Sequence, residues 1–115
     1  MSFPPDQTAE LKLLCDSVSL CQDQGIAYLL LCGLALPEGC EPGKLDALLC
    51  PTDREGYPSR LFFSAQVKSP FTRNWNFLGG RICERNWYAH SWMLKGKMRL
   101  AQMVGAHLDG FRRAQ

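Results

Sequence analysis

The apolar segment that runs from Ile26 to Leu36 constrains the fold of this chain more than any other part of its sequence. It has no polar face, so it does not fit a surface helix or a strand with one solvated side. It is also too short to cross a bilayer, which takes about 20 apolar residues. We predict a strand buried on both faces, or a strand that breaks at Gly33 into a second short piece.

The segment before this strand has helical periodicity. Asp6 or Thr8 can cap a helix there, and Gly25 is a natural residue to end it. The apolar positions that recur at helical spacing are Leu11, Leu14, Cys15, Val18 and Cys21. The pattern predicts a first helix with one buried stripe.

Turn residues separate the apolar runs that follow. The Pro- and Gly-rich residues 37–43 precede a run at 45–50, which suits an antiparallel partner strand. A second polar turn at 51–56 leads to an aromatic-rich third strand at 61–67. Residues 68–80 show no period and predict a long loop of the kind that carries function.

A final helix is predicted from about Lys97 to Arg113. Its packing face comprises Leu100, Val104, His107, Leu108 and Phe111. Together the elements predict a single α+β domain over residues 1–115. Its parts are an N-terminal helix, an antiparallel meander of three to four strands, a long active-site loop and a C-terminal helix.

Charge and cysteine content exclude several classes of function. A net charge of +2 without a dense basic stripe argues against nucleic-acid binding. The N-terminus lacks the features of a signal peptide and no run is long enough to span a membrane, so we expect a cytoplasmic protein with no membrane partner. The six cysteines form no Cys-x-x-Cys motif and are expected to be reduced thiols, with no metal site and no cofactor.

Residues 57–92 carry a family resemblance. Their order is Tyr57-Pro58, an asparagine-bearing loop, Gly80-Arg81-Ile82-Cys83 and Trp92. This order and spacing resemble the ubiquitin-conjugating enzymes, above all their divergent bacterial members. The resemblance implies the fold of that family.

The resemblance also implies a transferase. Cys83 would accept a ubiquitin-like protein from an adenylating activating enzyme as a thioester and pass it to an amine. The first helix would be the surface that docks the activating enzyme. The partners implied are therefore the activating enzyme and the ubiquitin-like protein.

The residues around Cys83 suit this chemistry. A thiolate accepts an acyl group from another thioester, and the flanking Arg81 and Arg85 are expected to lower the pKa of Cys83. Asn76 or Asn74 would donate a hydrogen bond to the oxyanion. His90 would deprotonate the incoming amine. Ser91 is a rival acceptor that would form an oxyester instead.

Other interpretations remain open. The family's His-Pro-Asn tripeptide is absent, with Arg73-Asn74-Trp75-Asn76 in its place, which favours a non-catalytic binding module or adaptor of the same fold. Cys83 is equally expected to be a packed small residue, His90 a backbone hydrogen bonder and the asparagines turn formers. Trp75, Trp87, Trp92 and His107 are expected to be structural. A cysteine hydrolase using His90 lacks an acid to orient the histidine.

Overall fold

The structure, a computed structural model, describes residues 3–113. Its α+β class agrees with the sequence. The elements are α1 (Pro5–Leu11), β1 (Ser17–Asp23), β2 (Ile26–Ala35), β3 (Lys44–Cys50), β4 (Arg60–Phe63), β5 (Trp75–Ile82), β6 (Arg85–His90), α2 (Leu100–Leu108) and a 3-10 helix (Asp109–Arg112).

One antiparallel sheet holds all six strands in the order β1-β2-β3-β4-β6-β5. The first four strands are neighbours in chain order. The β5–β6 hairpin joins them through a single paired position, Phe63 with Tyr88. The expectation of three to four strands is therefore wrong. Strand β1 falls in the predicted helix, β5 begins in the predicted loop at 68–80, and β6 lies in a segment to which the sequence assigned no element.

The first helix is much shorter than predicted. It ends at Leu11, and its start has no side-chain cap, since Pro4 holds the cap position and Thr8 donates instead to the Pro5 carbonyl at 3.0 Å. Residues 17–23 pair along their whole length with β2. Gly25 does not end a helix; with Gln24 it has positive φ in the two-residue turn of the β1–β2 hairpin.

The predicted central strand is confirmed, with its irregularity at Gly33. Residues 26–35 pair with β1 on one side and β3 on the other, and the register to β3 shifts between Leu31 and Leu34. Gly33 has φ +68°, and its N–H donates to the Asp46 carboxylate at 2.9 Å. The glycine thus forms a β-bulge, where a left-handed backbone conformation is required.

Later boundaries differ from the sequence-based ones. The predicted partner strand at 45–50 is confirmed, but the third strand covers only Arg60–Phe63 rather than 61–67. Residues 75–80 of the predicted long loop at 68–80 are instead the start of β5, and residues 68–74 stay outside the strands. The final helix covers Leu100–Leu108 and continues as a 3-10 turn. No helix among residues 3–113 has the length and apolar character that a membrane crossing requires.

Two apolar cores lie on opposite faces of the sheet. The first packs the helices against β2, β3 and β4, with Leu11, Val104 and Phe111 fully buried. The second contains Phe62, Ile82 and Trp87 and brings β5 and β6 against β2, β3 and β4. The hairpin thereby covers the second face, and its turn reaches the opposite edge strand, β1.

Candidate functional site

Cys83 lies in the turn between β5 and β6. Cys83 and Glu84 have φ of 51° and 66°, the left-handed pair that a two-residue hairpin turn requires. The Cys83 N–H donates to the Asp23 carboxylate of β1 at 2.7 Å. The side chain is half-buried at the margin of the second core. The resemblance implied that this cysteine lies in a loop that leads into a helix. It lies instead in a hairpin turn between two strands.

The surroundings of Cys83 oppose ionisation. Burial, a hydrogen bond with the Cys21 thiol and the nearby carboxylate of Asp23 raise the pKa of Cys83 to about 12. The flanking arginines are engaged elsewhere, Arg81 with Asn86 at 3.4 Å and Arg85 with Asp46 at 3.0 Å. The expected lowering of the Cys83 pKa by these arginines is wrong.

The other predicted site residues lie at the far end of the hairpin. Trp75 pairs with His90, so Asn74, Asn76, His90 and Ser91 flank the open end while Cys83 forms the closed end. Cys83 lies seven positions after Asn76, which at about 3.3 Å per residue is on the order of 20 Å. An amide this far away cannot donate to an oxyanion formed at the Cys83 sulfur.

Asn76 belongs to a polar cluster beside the start of β4. Its side-chain oxygen accepts from Arg60, and its amide donates to the Tyr57 hydroxyl at 2.8 Å. The Arg60 guanidinium stacks on the Tyr57 ring at 4.1 Å. Arg60 is buried, which lowers its pKa. Asn76 therefore has a structural partner on each side of its amide.

Ser91 and Asn74 extend this cluster. The Ser91 N–H donates to the Asn74 carbonyl at 2.8 Å. A hydrogen bond from Ser91 is the main cause that lowers the pKa of Tyr57, with a smaller contribution from Asn76. Four of the five predicted site residues are thus brought together without the cysteine, and their catalytic roles stay predictions.

His90 is buried in an aromatic environment. Its ring is stacked on Phe63 at 6.2 Å and lies 4.9 Å from that of Phe111. Its Nδ1 is buried with no hydrogen-bond partner among the described residues. Burial, with the positive charges of Arg73 and Arg60, lowers the pKa of His90 to about 4. It is a much weaker base than the sequence argument assumed.

A buried Ser59–His107 pair was not identified from the sequence. Ser59 Oγ lies 3.0 Å from His107 Nε2, and Ser59 lines a cavity of about 330 Å³ together with Lys97 and Met98. Burial lowers the pKa of His107 to about 3, so the imidazole is a poor base for activating the serine. The only sequence signal was a serine directly after Tyr57-Pro58. His107 is structural, as predicted.

The expected structural tryptophans are confirmed. Trp87 is fully buried and its Nε1 donates to the Ile82 carbonyl at 3.0 Å, while the Trp92 Nε1 donates to Ala106 at 3.1 Å. Trp75 packs at the margin of the first core. Within residues 3–113, no group of three or more His, Cys, Asp or Glu side chains is arranged to hold a metal ion.

Comparison of the chain with protein-family models, curated proteins and solved structures found no match. The site must therefore be interpreted from its own geometry.

Proposed function

We propose that this protein is a non-catalytic binding module with the fold of the ubiquitin-conjugating enzymes, which docks an adenylating activating enzyme without carrying an acyl group on Cys83. The placement of Cys83 carries this proposal. The sulfur lies in a hairpin turn, on the order of 20 Å along the strand from the amides that would stabilise an oxyanion.

Ionisation of Cys83 leads to the same conclusion. With a pKa of about 12 the thiol is protonated at neutral pH. Fewer than about one molecule in 10,000 then carries the thiolate near pH 7.5. Because acyl transfer between thioesters requires the thiolate, a carrier role would be very slow.

The order of elements supports the fold part of the proposal. A helix, then four antiparallel strands that are neighbours in chain order, then a segment bearing the cysteine and a final helix follow the order implied by the resemblance. The strand β1, which the sequence did not reveal, completes the four. The β5–β6 hairpin takes the place of the irregular active-site loop.

An apolar surface is available next to α1, the element that the resemblance assigns to docking. Leu13, in the connection between α1 and β1, is 86% exposed, and Leu20, within β1, is 47% exposed. Leu20 lines a groove of about 240 Å³ together with Phe3 and Val18. Exposed apolar side chains beside a groove are typical of protein-binding surfaces.

The test uses the full chain, an activating enzyme, a ubiquitin-like protein from the same organism and ATP. We expect a complex with the activating enzyme by size-exclusion chromatography and calorimetry, and no covalent adduct on non-reducing gels. Leu20→Asp should weaken the complex by about tenfold or more, since it places a charge in the apolar contact. Leu78→Asp is the matched control, because Leu78 is 64% exposed on the opposite edge strand.

Three outcomes contradict the proposal. A thiol-sensitive adduct that disappears in Cys83→Ser would show that Cys83 is a carrier. An adduct that resists thiols but is lost in Ser91→Ala would show the oxyester alternative. Equal weakening by the Leu20 and Leu78 variants would show that the α1 side is not the docking surface.

A further inference from the structure

The turn of the β5–β6 hairpin brings two cysteines from distant parts of the chain together. Cys21 lies on the edge strand β1, and Cys83 lies in the turn. Both side chains are half-buried and pack against the second core. The contact links the first strand of the sheet to the last hairpin.

Two observations place the turn beside Cys21. Both cysteine side chains pack against the second core, and Cys21 is among the groups that raise the pKa of Cys83. Two residues further along β1, the Asp23 carboxylate accepts from the Cys83 N–H at 2.7 Å. Residues 21 and 23 point to the same face of the strand, so the Asp23 contact holds the turn over the Cys21 side chain.

We propose that Cys21 and Cys83 are a dithiol that closes reversibly to an intramolecular disulfide by exchange with a low-molecular-weight disulfide such as oxidised glutathione. The Cys21 thiolate attacks one sulfur of the reagent, and one glutathione thiolate leaves. Cys83 loses its proton and attacks the Cys21 sulfur, which expels the second glutathione. Two protein thiols are oxidised, one disulfide is reduced to two thiols, and the two protons pass to the glutathiones.

The two sulfurs are assigned different roles. Burial and the neighbouring Cys21 and Asp23 raise the pKa of Cys83 to about 12, so Cys83 keeps its proton and Cys21 is the attacking residue. Once Cys21 is part of a mixed disulfide, its contribution to the raised pKa of Cys83 is removed, while that of burial remains. Cys83 is then the resolving residue.

The remaining cysteines are poorer candidates. Cys40 and Cys50 are buried and burial raises the pKa of each. Cys15 lies near Cys32, but its sulfur is 3.3 Å from the Leu11 carbonyl and 3.4 Å from that of Ser17, and its pKa is also raised by burial. Because Cys15 lies near Cys32, a disulfide between these two is the alternative product that the experiment must distinguish.

The closed form would tie β1 to the hairpin that covers the second core. Without the bridge, this side of the sheet is held by the Asp23 contact and apolar packing. We expect backbone amides of the β5–β6 hairpin to exchange with deuterium more slowly in the oxidised protein, because the covalent link suppresses opening of the hairpin.

The experiment treats the folded, fully reduced chain with oxidised glutathione at pH 8 and maps the products by non-reducing peptide mass spectrometry. We expect a major product that has lost two hydrogen atoms and links the peptides of Cys21 and Cys83. In Cys83→Ser, Cys21 should accumulate as a mixed disulfide at least about tenfold faster than Cys83 does in Cys21→Ser. Cys15→Ser is the matched control and should leave the product unchanged.

Two results overturn the proposal. One is that the disulfide formed in the unmutated chain maps mainly to Cys15 and Cys32, or to no fixed pair. The other is equal glutathionylation of Cys21 and Cys83 in the two single variants, each of which is first checked for folding by circular dichroism. If a serine variant fails that check, the alanine variant at the same position replaces it, and the peptide map of the unmutated chain decides independently.

Discussion

Acidification is expected to destabilise this protein through its two buried histidines. His90 and His107 are 5% and 3% exposed, and burial lowers the pKa of His90 to about 4 and that of His107 to about 3. The ordinary histidine value is 6.5. The folded state therefore holds both rings neutral over a pH range in which the unfolded chain protonates them.

The sign and size follow from linkage. Above pH 6.5 both rings are neutral in the folded and the unfolded chain, so the free energy of unfolding is at its full value. Below pH 6.5 it decreases, until the pH reaches about 4 for His90 and about 3 for His107. At pH 5 each group is about 1.5 pH units below its unfolded pKa, which costs about 2 kcal/mol per histidine. The free energy of unfolding should thus fall by about 4 kcal/mol between pH 7.5 and pH 5.

The assay is urea denaturation of the full chain at both pH values, followed by tryptophan fluorescence. His90→Phe is the informative variant, since Phe63, Trp75 and Phe111 surround the ring and phenylalanine does not titrate. We expect the variant to lose only about 2 kcal/mol over the same interval. The comparison is made within each protein, so a packing cost of the substitution does not affect it.

Proton titration by NMR gives the result that would refute this reasoning. Imidazole resonances of both histidines in the folded protein should not shift between pH 8 and pH 5. A histidine that titrates near pH 6.5 without unfolding, or an unfolding free energy that is equal at pH 7.5 and pH 5, would show that neither ring is held neutral by burial.

Three further substitutions test the fold. Gly33→Ala should destabilise the protein by about 1–3 kcal/mol in urea denaturation, because φ is +68°, a backbone conformation that strains a residue with a Cβ. An unchanged midpoint would contradict the bulge. Gly105→Ala, in helix α2 with open space around the added Cβ, should instead stabilise by about 0.5–1 kcal/mol. Arg99→Ala should lower the melting temperature, since Arg99 links α2 to Glu10 of α1 at 2.9 Å, and 1 M salt should shrink the difference if the link is ionic.

Part of the fold could be predicted from the sequence because the signal is local. A continuous apolar run with no polar face admits few structures, and residues 26–35 form the predicted central strand with its irregularity at Gly33. The partner strand at 44–50 and the helix around Val104 follow from turn residues and a 3.6-residue period. The hydrophobic pattern of neighbouring residues is enough to predict these elements.

Strands β1 and β5 could not be predicted, because the period of two is weak or broken in both. Val18 and Cys21 fit helical spacing as well as they fit a strand, and only pairing with β2 decides between them. In β5 the register shifts twice, once on each side of Phe77, which removes the alternation that marks a strand.

The candidate site, like the fold, was predictable from the sequence only in part. The sequence by itself determined that Cys83, Asn76 and His90 were the residues with suitable chemistry, since residue type is visible without a fold. Only the tertiary structure decided which of them meet. Hairpin pairing sends Cys83 to one end of β5 and Asn76 to the other, and the contact with Asp23 brings the turn that holds Cys83 to strand β1. Distance between residues far apart in sequence is set by strand pairing and packing, which no local pattern encodes.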